Sequence, residues 1–453
     1  MAQKPSTPKG TRDFSPETML KRNYIMQVIK NAFQIFGYLP IETPSMENSS
    51  SLMGKYGEEG DRLIFKILNS GDYLKKVDPD LDLDSNKMLS KISDKALRYD
   101  LTVPFARYVV QNQNDITFPF KRYQIQPVWR ADKPQKGRFR EFYQCDADVV
   151  GSRSLLYEVE LIQLYDKVFT DLKVPTVIKF NNRKVLSGIA EIIGAEDKLI
   201  DITVAIDKLD KIGLDLVKEE MLQKGISDSA IKKIEPILIM EGDSVEKLAT
   251  MRSVLADSDI GLEGIDEVQT VINKVLNLGL ESADLDFDLT LARGLNYYTG
   301  SIFEVESKGV KMGSIGGGGR YDDLTGVFGL KDLPGIGISF GLDRIYLVLE
   351  ELDALPSLEA DFTQVLFVNF GDKEADYCLN VLSELRKAGI NSELYPDSSK
   401  MKKQMNYANK KSIPYVVLLG EDEMNSGLLS VKNMKNGSQS NYNLADFIKL
   451  LKS

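Results

Sequence analysis

The sequence predicts an α/β protein of the α+β kind with two domains, and three observations lead to this prediction. Two strand-like runs, Arg122–Arg130 and Arg138–Val150, flank a basic loop, which is typical of an antiparallel hairpin. A polar, helix-rich stretch from about Asn182 to Gly279 interrupts the strand-like part of the chain. From Phe362 to Ser453 strand and helix patterns alternate, which indicates a small α/β domain with a mixed sheet.

The N-terminal part begins with a predicted helix. Ser15 can cap this helix, Pro16 suits its first turn and Gly37 is a natural end. Its apolar residues repeat at helical spacing: Leu20, Tyr24, Val28, Ala32 and Phe36. Tyr38–Pro44 is predicted to be extended, because proline disfavours helix in the residue before it. Residues 71–95 are rich in Asp, Lys and Ser, and we expect a partly mobile surface excursion there.

The later elements follow from periodicity. Five helices are predicted in the polar stretch: Lys184–Gly194, Asp207–Lys224, Asp228–Glu241, Ser244–Ala256 and Ile265–Leu278. Strand-like patterns return from Asp286 to Glu351, and Leu355–Ser357 begins a predicted linker. In the last domain we expect three strands and three helices: Val365–Phe370, Ser392–Tyr395 and Tyr415–Leu419, with Lys373–Lys387, Lys400–Lys411 and Leu444–Lys452.

Composition excludes several classes of protein. A length of 453 residues favours two or three domains, and 43% apolar with 27% charged residues is typical of a soluble globular protein. No apolar run approaches the length that spans a membrane, and the polar N-terminus lacks the apolar core of a signal peptide. Two cysteines are too few for a disulfide framework, so we expect a reducing, cytoplasmic setting.

Charge is distributed unevenly along the chain. The net charge of −10 argues against nonspecific nucleic-acid binding. Phe362–Ser453 nevertheless carries +2, which leaves −12 on the rest of the chain. This asymmetry points weakly to nucleic-acid contact at the C-terminal end, and a neutral domain beside an acidic one explains it equally well.

The chain contains no histidine. This excludes a Ser-His-Asp triad, a Cys-His pair and any histidine metal ligand. Chemistry at a site must therefore use arginine, lysine, carboxylates, hydroxyls and groups of the substrate.

Five arginines are candidates for phosphate binding. Arg130 ends the first hairpin strand, Arg138 and Arg140 lie where the loop returns, and Arg293 and Arg344 lie in glycine-containing sequence. The planar guanidinium binds phosphate oxygens with two parallel hydrogen bonds, so several such residues suit a triphosphate pocket. Taken singly, each is more commonly a surface or ion-paired arginine.

Glycines and carboxylates provide a second set of candidates. The run Gly316–Asp322 allows backbone to approach a ligand closely, although a loop or bulge is the commoner role of such a run. It is not a Walker A loop, because no Gly-Lys-Ser/Thr follows. Asp100 and Asp148 border strand-like sequence and can grip an ammonium or an imidazole N–H, although capping and ion pairing are commoner roles.

Motifs along most of the chain resemble those of the histidyl-tRNA synthetase family. Lys9–Phe14 resembles the family's start, and three segments resemble class II motifs 1, 2 and 3: Gly37–Pro44, Phe120–Gly151 and Gly335–Arg344. Leu291–Gly300 and Gly316–Asp322 resemble stretches specific to histidine enzymes. Leu97–Arg107 and Arg140–Asp148 resemble the eukaryote-like branch. Asn296 departs from the family pattern, where aspartate is usual, which puts an electrostatic role of that position in doubt.

The resemblance implies a fold and a domain plan. Residues 1–355 would form a class II catalytic domain with an antiparallel sheet, interrupted by a helical insertion at 185–279. Residues 362–453 would form an α/β anticodon-binding domain. The family's properties also imply a cytoplasmic homodimer without a membrane segment.

The resemblance further implies a histidine–tRNA ligase, with ATP as substrate, Mg²⁺ bridging its outer phosphates, and L-histidine and tRNA(His) as the other substrates. Arg130 and Arg293 would flank the α-phosphate as catalytic residues, and Arg138 and Arg344 would hold the γ-phosphate. The remaining residues expected to bind histidine, besides Arg130 and Arg293, are Asp100, Leu101, Thr102, Gln144, Asp148, Tyr297, Tyr298 and Tyr321. Asp100, Thr102 and Gln144 would hold the amino group, while Asp148 and Tyr298 would grip the imidazole. No metal ligand is expected among the protein residues.

Contacts with tRNA are expected in two places. The basic loop Lys133–Lys136 would meet the acceptor end of tRNA. In the last domain, one lysine-rich helix would contact the backbone near the anticodon through Lys400, Lys402, Lys403, Lys410 and Lys411. A solvated helix face is the alternative interpretation of these lysines.

Two other functions remain open. A synthetase-like regulatory subunit of histidine biosynthesis would resemble the catalytic core, but such proteins usually lack the anticodon domain and the ATP arginines. A class II synthetase for another amino acid is the second alternative, and the histidine-specific stretches argue against it.

Overall fold

The computed structural model describes residues 4–75, 77, 84–292, 297–357 and 362–452. The chain forms two compact units, Met1–Leu355 and Pro356–Ser453, which are described separately below. Of the helices in the described ranges, none combines the length and the apolar character needed to cross a membrane.

The first unit is built on an eight-stranded sheet. Its strands lie in the order β1-β5-β6-β11-β10-β9-β7-β8, antiparallel throughout except for the parallel edge pairs β1–β5 and β7–β8. Their bounds are β1 Leu39–Pro40, β5 Phe120–Trp129, β6 Glu141–Val150, β7 Thr176–Asn182, β8 Asp284–Phe287, β9 Ser301–Ser307, β10 Gly316–Tyr321 and β11 Gly335–Gly341. The predicted antiparallel sheet and its hairpin, β5–β6, are confirmed.

The remaining elements of the first unit surround this sheet. A small sheet contains β2 Met46–Asn48, β3 Lys66–Ile67 and β4 Lys95–Leu97. The first helices are α1 Pro16–Ile35, α2 Ser49–Leu52, α3 Gly57–Leu63, α4 Ser85–Ile92, α5 Thr102–Gln111 and α6 Leu156–Asp171. Then come α7 Arg183–Ile192, α8 Leu199–Ile206, α9 Leu209–Ile212, α10 Leu214–Gln223, α11 Asp228–Leu238, α12 Ser244–Val254, α13 Asp259–Leu278 and α14 Leu342–Glu351. Single 3₁₀ turns lie at Glu196–Lys198 and Leu324–Phe328.

Strand β11 shows how the sheet separates its core from its open face. Ile336, Ile338 and Phe340 are buried in the hydrophobic core, and the ring of Phe340 lies 4.9 Å from that of Tyr165 on α6, centroid to centroid. Side chains alternate along a strand, so the residues between them face the other way. The two residues between them are Gly337 and Ser339.

The glycine run Gly316–Gly319 is part of strand β10, so the expectation of a loop or bulge was wrong. Both neighbouring strands approach too closely for side chains. A Cβ on Gly318 would lie 2.2 Å from the carbonyl oxygen of Gly337 on β11, and one on Gly319 would lie 2.7 Å from the carbonyl oxygen of Ser301 on β9. The glycines therefore serve sheet packing, a role that a run of glycines alone does not reveal.

The predicted first helix is confirmed, since the Ser15 hydroxyl accepts a hydrogen bond of 3.2 Å from the Thr18 amide at the start of α1. The expectation of one helix over Asp207–Lys224 was wrong. Gly213 has a φ of +81° and separates α9 from α10. Residues 71–95 include helix α4, which the weak periodicity did not predict. Within that expected excursion, residues 76 and 78–83 lie outside the described residues.

The second unit is a five-stranded mixed sheet in the order β13-β12-β14-β15-β16. Its strands are β12 Val365–Phe367, β13 Ser392–Leu394, β14 Tyr415–Leu418, β15 Leu429–Asn433 and β16 Gln439–Tyr442. Its helices are α15 Asp372–Lys387, α16 Met401–Lys410, α17 Glu421–Ser426 and α18 Leu444–Lys452. The first three strands pair in parallel and the last two antiparallel, so the mixed sheet is confirmed. The hairpin β15–β16 and helix α17 were not predicted.

Candidate active site

The open face of the main sheet carries a row of polar side chains on β6. Gln144, Asp146 and Asp148 are alternate residues of this strand, so they point to the same face. Asp148 lies between Arg122 on β5 and Gly337 on β11 in the strand register. Because Gly337 has no side chain, the carboxylate has room to lie across the sheet. A Cβ at that position would be only 2.0 Å from Asp148 Oδ1.

Asp148 is buried, and its Oδ1 is hydrogen-bonded, whereas its Oδ2 is ion-paired but has no hydrogen-bond partner among the described residues. The Tyr321 hydroxyl donates to Oδ1 at 2.6 Å, and Arg122 Nη2 lies 2.8 Å from Oδ2. Burial raises the pKa of Asp148, while the positive charge of Arg122 and the Tyr321 hydrogen bond act in the opposite direction. The site therefore contains a carboxylate with a defined orientation and free lone pairs for a further N–H donor.

Asp100 is a second buried carboxylate and lies just before α5. Its Oδ1 accepts from the Tyr56 hydroxyl at 2.9 Å and from the Val103 amide at 3.1 Å, while its Oδ2 accepts from the Tyr297 hydroxyl at 3.0 Å. Burial raises the pKa of Asp100, and these hydrogen bonds lower it. Tyr297 thus orients Asp100, beyond the pocket-lining role expected of it.

Arg122 connects Asp148 to the backbone next to Asp100. Arg122 Nη2 also donates to the carbonyl oxygen of Leu101 at 3.2 Å, and Thr102 begins helix α5 immediately afterwards. The expected histidine-binding residues of the Asp100–Thr102 segment are therefore connected through Arg122 to Asp148. The rings of Tyr297 and Tyr321 meet edge-on, with their centroids 6.1 Å apart.

A cavity of about 370 Å³ opens on the same face of the sheet. Three of the predicted phosphate-binding arginines line it: Arg130, Arg138 and Arg344. Other lining residues include Phe142, Gln144, Tyr298, Glu304 and Ser339. Two of the expected histidine-binding residues, Gln144 and Tyr298, thus face the same space as the arginines.

The three arginines are held to different degrees. Arg130 donates to the carbonyl oxygen of Tyr99 at 3.1 Å, and its guanidinium lies 4.2 Å from the centroid of the Tyr99 ring. Arg344 donates to the carbonyl oxygens of Gly137 and Ser314 at 2.9 and 2.6 Å. The Arg138 side chain is 44% exposed, and its nearest carboxylate oxygen, on Asp132, is 3.6 Å away. Arg138 therefore has the most freedom to meet a ligand.

Arg293 and Asn296 lie outside the described residues. The expected role of Arg293 as a catalytic, histidine-binding residue thus remains a prediction. The next described residue along the chain, Tyr297, belongs to the site, since its hydroxyl donates to Asp100.

Sequence reasoning missed several residues of the site, namely Arg122, Asp146, Tyr56 and Ser339. Strand alternation was the available signal for Asp146, because Gln144 and Asp148 bracket it at spacings of two. Burial, followed by repulsion from Asp148, raises the pKa of Asp146 to about 7 despite the nearby charge of Arg122. This face of the sheet thus carries a further buried carboxyl group, that of Asp146, which the family motifs did not predict.

The N-terminal segment contacts two elements that border the site, the β5–β6 hairpin and helix α14. Buried Asp343, beside Arg344, forms ion pairs with Arg12 and with Arg22, the latter at 2.6 Å, and accepts from the Tyr143 amide at 3.1 Å. The Arg12 guanidinium also lies 3.2 Å from the centroid of the Phe139 ring. The segment that resembles the family's start therefore fastens the hairpin to the start of α14.

Within the ranges that the structure describes, no group of three or more Asp, Glu or Cys side chains is arranged to hold a metal ion.

The second unit has a basic cavity of about 490 Å³ on its own surface. It is lined by Tyr395, Tyr407 and Asn406 together with Lys400, Lys402, Lys403 and Lys410. Lys411, expected to belong to this set, does not line it. Its ammonium lies 2.8 Å from Glu393 Oε1 and donates to the Tyr407 hydroxyl at 2.9 Å.

Comparison with known proteins supports these observations. The family model described as histidyl-tRNA synthetase matches residues 10–345, and the model described as anticodon binding domain matches 364–453. A protein of Christiangramia forsetii named histidine–tRNA ligase is 64% identical over 97% of this chain and 98% of its own length. One of the same name from Phocaeicola vulgatus is 60% identical over 97% of both chains.

Solved structures of similar proteins have the same fold. The crystal structure of histidyl-tRNA synthetase from Nostoc sp. PCC 7120 superposes with a TM-score of 0.82 and 33% identity, covering 100% of this chain and 99% of that one. An ATP phosphoribosyltransferase regulatory subunit/histidyl-tRNA synthetase from Bacillus halodurans shares the fold, with a TM-score of 0.71, 18% identity, and 91% and 98% coverage.

The expected placement in the eukaryote-like branch finds no support, because these relatives are bacterial. Short motifs within a site reflect which side chains the site uses, and they do not establish lineage. The full-length match, the two matched family models and the class II sheet agree with one another: the chain belongs to the histidyl-tRNA synthetase family.

Proposed function

We propose that this chain is a histidine–tRNA ligase, which joins L-histidine to ATP and transfers the histidyl group to tRNA(His). The observation that carries this proposal is the face shared by an arginine-lined cavity and two buried, oriented carboxylates, Asp100 and Asp148. The cavity suits a triphosphate, and the carboxylates suit an ammonium and an imidazole. Membership of the family supports the same reaction.

The first step needs no base from the protein. The substrate carboxylate, with a pKa of about 3.3–3.7, is already ionised at neutral pH. One of its oxygens attacks the α-phosphorus, the bond to the bridging oxygen of the β-phosphate breaks, and pyrophosphate leaves. The protein has to position the two substrates and to neutralise charge on phosphorus, which arginines do. A chain without histidine can therefore catalyse this step.

We assign the phosphates to the cavity arginines. Arg130 is held by Tyr99 beside Gln144 and Tyr298, so it would contact the α-phosphate. Arg138 and Arg344, at the loop end of the cavity, would hold the γ-phosphate. Arg293 would approach the α-phosphate from the opposite side as the second catalytic residue, a role that rests on the family resemblance.

The histidine would occupy the space above Asp100 and Asp148. Asp100, Thr102 and Gln144 would hold its amino group, with the Leu101 backbone completing this segment. Asp148 would accept one imidazole N–H, and Tyr298 would bond the other nitrogen, while Tyr297 and Tyr321 would fix the two carboxylates. Analogues without both nitrogens would leave buried polar groups unpaired, which costs binding free energy.

Magnesium would enter with ATP. Mg²⁺ binds mostly through phosphate oxygens and water with one or two carboxylates, so a dedicated protein cage is not required. Three carboxylates are among the residues that line the cavity, those of Asp132, Glu304 and Asp343, and Asp343 is paired with Arg12 and Arg22. The ion would offset phosphate charge, and the described residues fit this limited role.

Two surfaces would contact tRNA. The loop Lys133–Lys136 borders the cavity and would meet the acceptor end, where a phosphate oxygen of the adenylate would take the proton of the attacking tRNA hydroxyl. In the second unit, the cavity lysines of α16 would contact the anticodon region. Such phosphate contacts position the tRNA and weaken with salt.

The finer organisation is also proposed from the family pattern. We propose a catalytic domain over 1–355 with a helical insertion at 185–279, and an anticodon-binding domain over 362–453. We also propose a cytoplasmic homodimer. Exposed apolar side chains near the motif 1 segment, among them Ile35, Leu39 and Met46, support a partner surface there.

Histidine-dependent exchange of pyrophosphate into ATP tests the proposal. We expect exchange with histidine and with none of the other standard amino acids. No exchange at saturating ATP would favour the regulatory alternative, and exchange with another amino acid would favour a different synthetase. The intact cavity arginines and the second unit argue against the regulatory alternative.

A further inference from the structure

Arg122 is a buried arginine for which the reaction described above has no task. It lies in the middle of β5, and its side chain has no exposed surface. Its guanidinium contacts Asp148, the Leu101 carbonyl oxygen and the Phe105 ring, whose centroid is 4.3 Å away. Nε and Nη1 have no hydrogen-bond partner among the described residues.

Such a residue is a poor means of stabilising a fold. Removing two charges from water costs several kcal/mol per ion, and a buried ion pair often stabilises no more than apolar residues of the same volume. Because Nε and Nη1 of Arg122 have no hydrogen-bond partner among the described residues, burying this ion pair is still less favourable for stability. Its contacts instead join two segments that face the substrate, namely Asp100–Thr102 and Asp148.

We propose that Arg122 is a positioning residue of the histidine site, which keeps Asp148 ionised as an acceptor and fixes it relative to the Asp100–Thr102 segment. This inference rests on the proposed function, because it assumes that histidine binds there. Arg122 acts through Asp148 and does not itself touch the reacting atoms.

The charges around Asp148 explain why a cation is needed there. The ionisable groups facing it from the packed elements are Arg122 on β5, Tyr321 on β10, Asp146 on its own strand, Asp100 before α5, and the tyrosines Tyr38 and Tyr298. Burial raises the pKa of Tyr38 and of Tyr298, so both remain neutral. Without Arg122, burial and the carboxylates would favour a proton on Asp148. Protonated Asp148 could not serve as a charged acceptor for the imidazole N–H.

The test compares Arg122→Leu with wild type in pyrophosphate exchange from pH 6 to pH 9. We expect the KM for histidine to rise at least tenfold at pH 7, while the KM for ATP changes less than twofold. The excess KM should fall as pH rises, because Asp148 then ionises with a raised pKa. Arg122→Lys should recover part of the affinity, since it restores charge without the planar fork.

Two controls separate positioning from folding. Arg320 is a matched buried arginine, which donates to Glu158 Oε1 and Oε2 at 2.7 and 2.8 Å away from the cavity. Arg320→Leu also leaves a buried carboxylate alone, so it should lower stability without a selective, pH-dependent change in the KM for histidine. In the double variant Arg122→Leu with Asp148→Asn, the pH dependence of the excess KM should disappear.

The outcomes are distinct. Equal increases of both KM values in Arg122→Leu, or a change no different from that of Arg320→Leu, would overturn the positioning role. If Arg122→Leu does not fold, Arg122→Lys decides: a wild-type KM for histidine with an unchanged pH profile would overturn it as well. Wild-type protein without histidine-dependent exchange would instead refute the proposed function.

Discussion

At the scale of single residues, the shape of the site depends on glycines, because their lack of a side chain leaves space for larger neighbours. Gly337 leaves space for the Asp148 carboxylate, and Gly335 leaves space for Tyr321, whose ring carbon would lie 2.3 Å from an added Cβ. Gly319 does the same for the Tyr298 ring at 3.0 Å. The glycines of β10 and β11 thus define the shape of the proposed imidazole pocket.

Gly337→Ala tests this shape. The added methyl would lie 2.0 Å from Asp148 Oδ1, so the carboxylate must move, and we expect the KM for histidine to rise about tenfold or more. The KM for ATP should change little. Pyrophosphate exchange measures both, with Gly326→Ala as the control, because a Cβ there meets nothing nearer than 3.8 Å. A wild-type KM for histidine would contradict the assignment.

Asp146 makes stability depend on pH. Its pKa is raised to about 7 in the folded protein and is near 3.8 when unfolded, so the folded state holds more protons between these values. The free energy of unfolding therefore falls as pH rises from about 4 to 7. Asp146→Asn removes this loss, and we expect it to stabilise the protein at pH 8 by on the order of 1–3 kcal/mol. At pH 4 it should have little effect.

Urea unfolding at the two pH values measures this difference. Equal stability of Asp146→Asn and wild type at pH 8 would show that Asp146 ionises in the folded protein without cost.

Motifs in the sequence named residues that the structure brings close together. Gln144 and Asp148 share one face of β6, and Arg122 connects Asp148 to the Leu101 carbonyl oxygen beside Asp100. The roles of these residues in binding histidine stay predictions. Arg122 was not foreseen, because an arginine in a strand-like run looks the same whether it faces solvent or a buried carboxylate. Only the register between β5 and β6 distinguishes the two.

At the scale of elements, the N-terminal segment, the β5–β6 hairpin and α14 act as one assembly. Asp343 at the start of α14 is paired with Arg12 and Arg22, and the Arg140 amide donates to the Gly10 carbonyl oxygen at 2.9 Å. Local propensity does not predict these contacts, since they link residues more than 100 positions apart. The hairpin and the first helix, which depend on local patterns, were predicted.

Arg12→Ala should loosen the hairpin loop that carries Arg138. We expect the KM for ATP to rise about three- to tenfold, with a smaller change in the KM for histidine, because the loop borders the phosphate end of the cavity. Steady-state exchange at varied ATP provides the measurement. Lys21→Ala is a control on the same N-terminal region, since the exposed Lys21–Glu17 pair contributes little. Unaltered ATP kinetics in Arg12→Ala would rule out this coupling.

At the scale of the whole molecule, the two units have separate cores, and we assign adenylate formation to the first unit and anticodon binding to the second. The hydrophobic cores of the second unit consist of its own residues, and the carboxylates and arginines of the candidate active site all belong to the first. Apart from α4, α17, the hairpin β15–β16 and the break between α9 and α10, the main elements of each unit followed from periodicity and motifs. The sheet order, which brings β11 next to β6, did not, because it depends on pairing between distant segments.

Removing Phe362–Ser453 should therefore spare histidine-dependent pyrophosphate exchange and reduce tRNA charging by at least a hundredfold. The reason is that the residues proposed to form the adenylate all belong to the first unit. Exchange and aminoacylation assays on the shortened protein give the comparison. Loss of exchange to the same extent would mean that the second unit is required for folding of the first or for dimer formation.

The lysines of α16 allow a finer test. Replacing Lys400, Lys402, Lys403 and Lys410 together by alanine should raise the KM for tRNA and flatten its salt dependence, because four phosphate contacts are lost. Lys411→Ala is the matched control, since Lys411 is occupied by Glu393. Aminoacylation at several salt concentrations distinguishes them. A similar loss in both variants would indicate a structural effect on α16.

Because the chain contains no histidine, a histidine bound next to Asp148 can be observed by spectroscopy without overlapping signals from the protein. Every imidazole signal in a nuclear magnetic resonance spectrum of the complex must come from the ligand, because the protein contributes none. With ¹⁵N-labelled histidine, the two ring nitrogens would report which one carries the proton opposite Asp148. The tautomer chosen by the pocket could thus be observed directly in the unmodified protein.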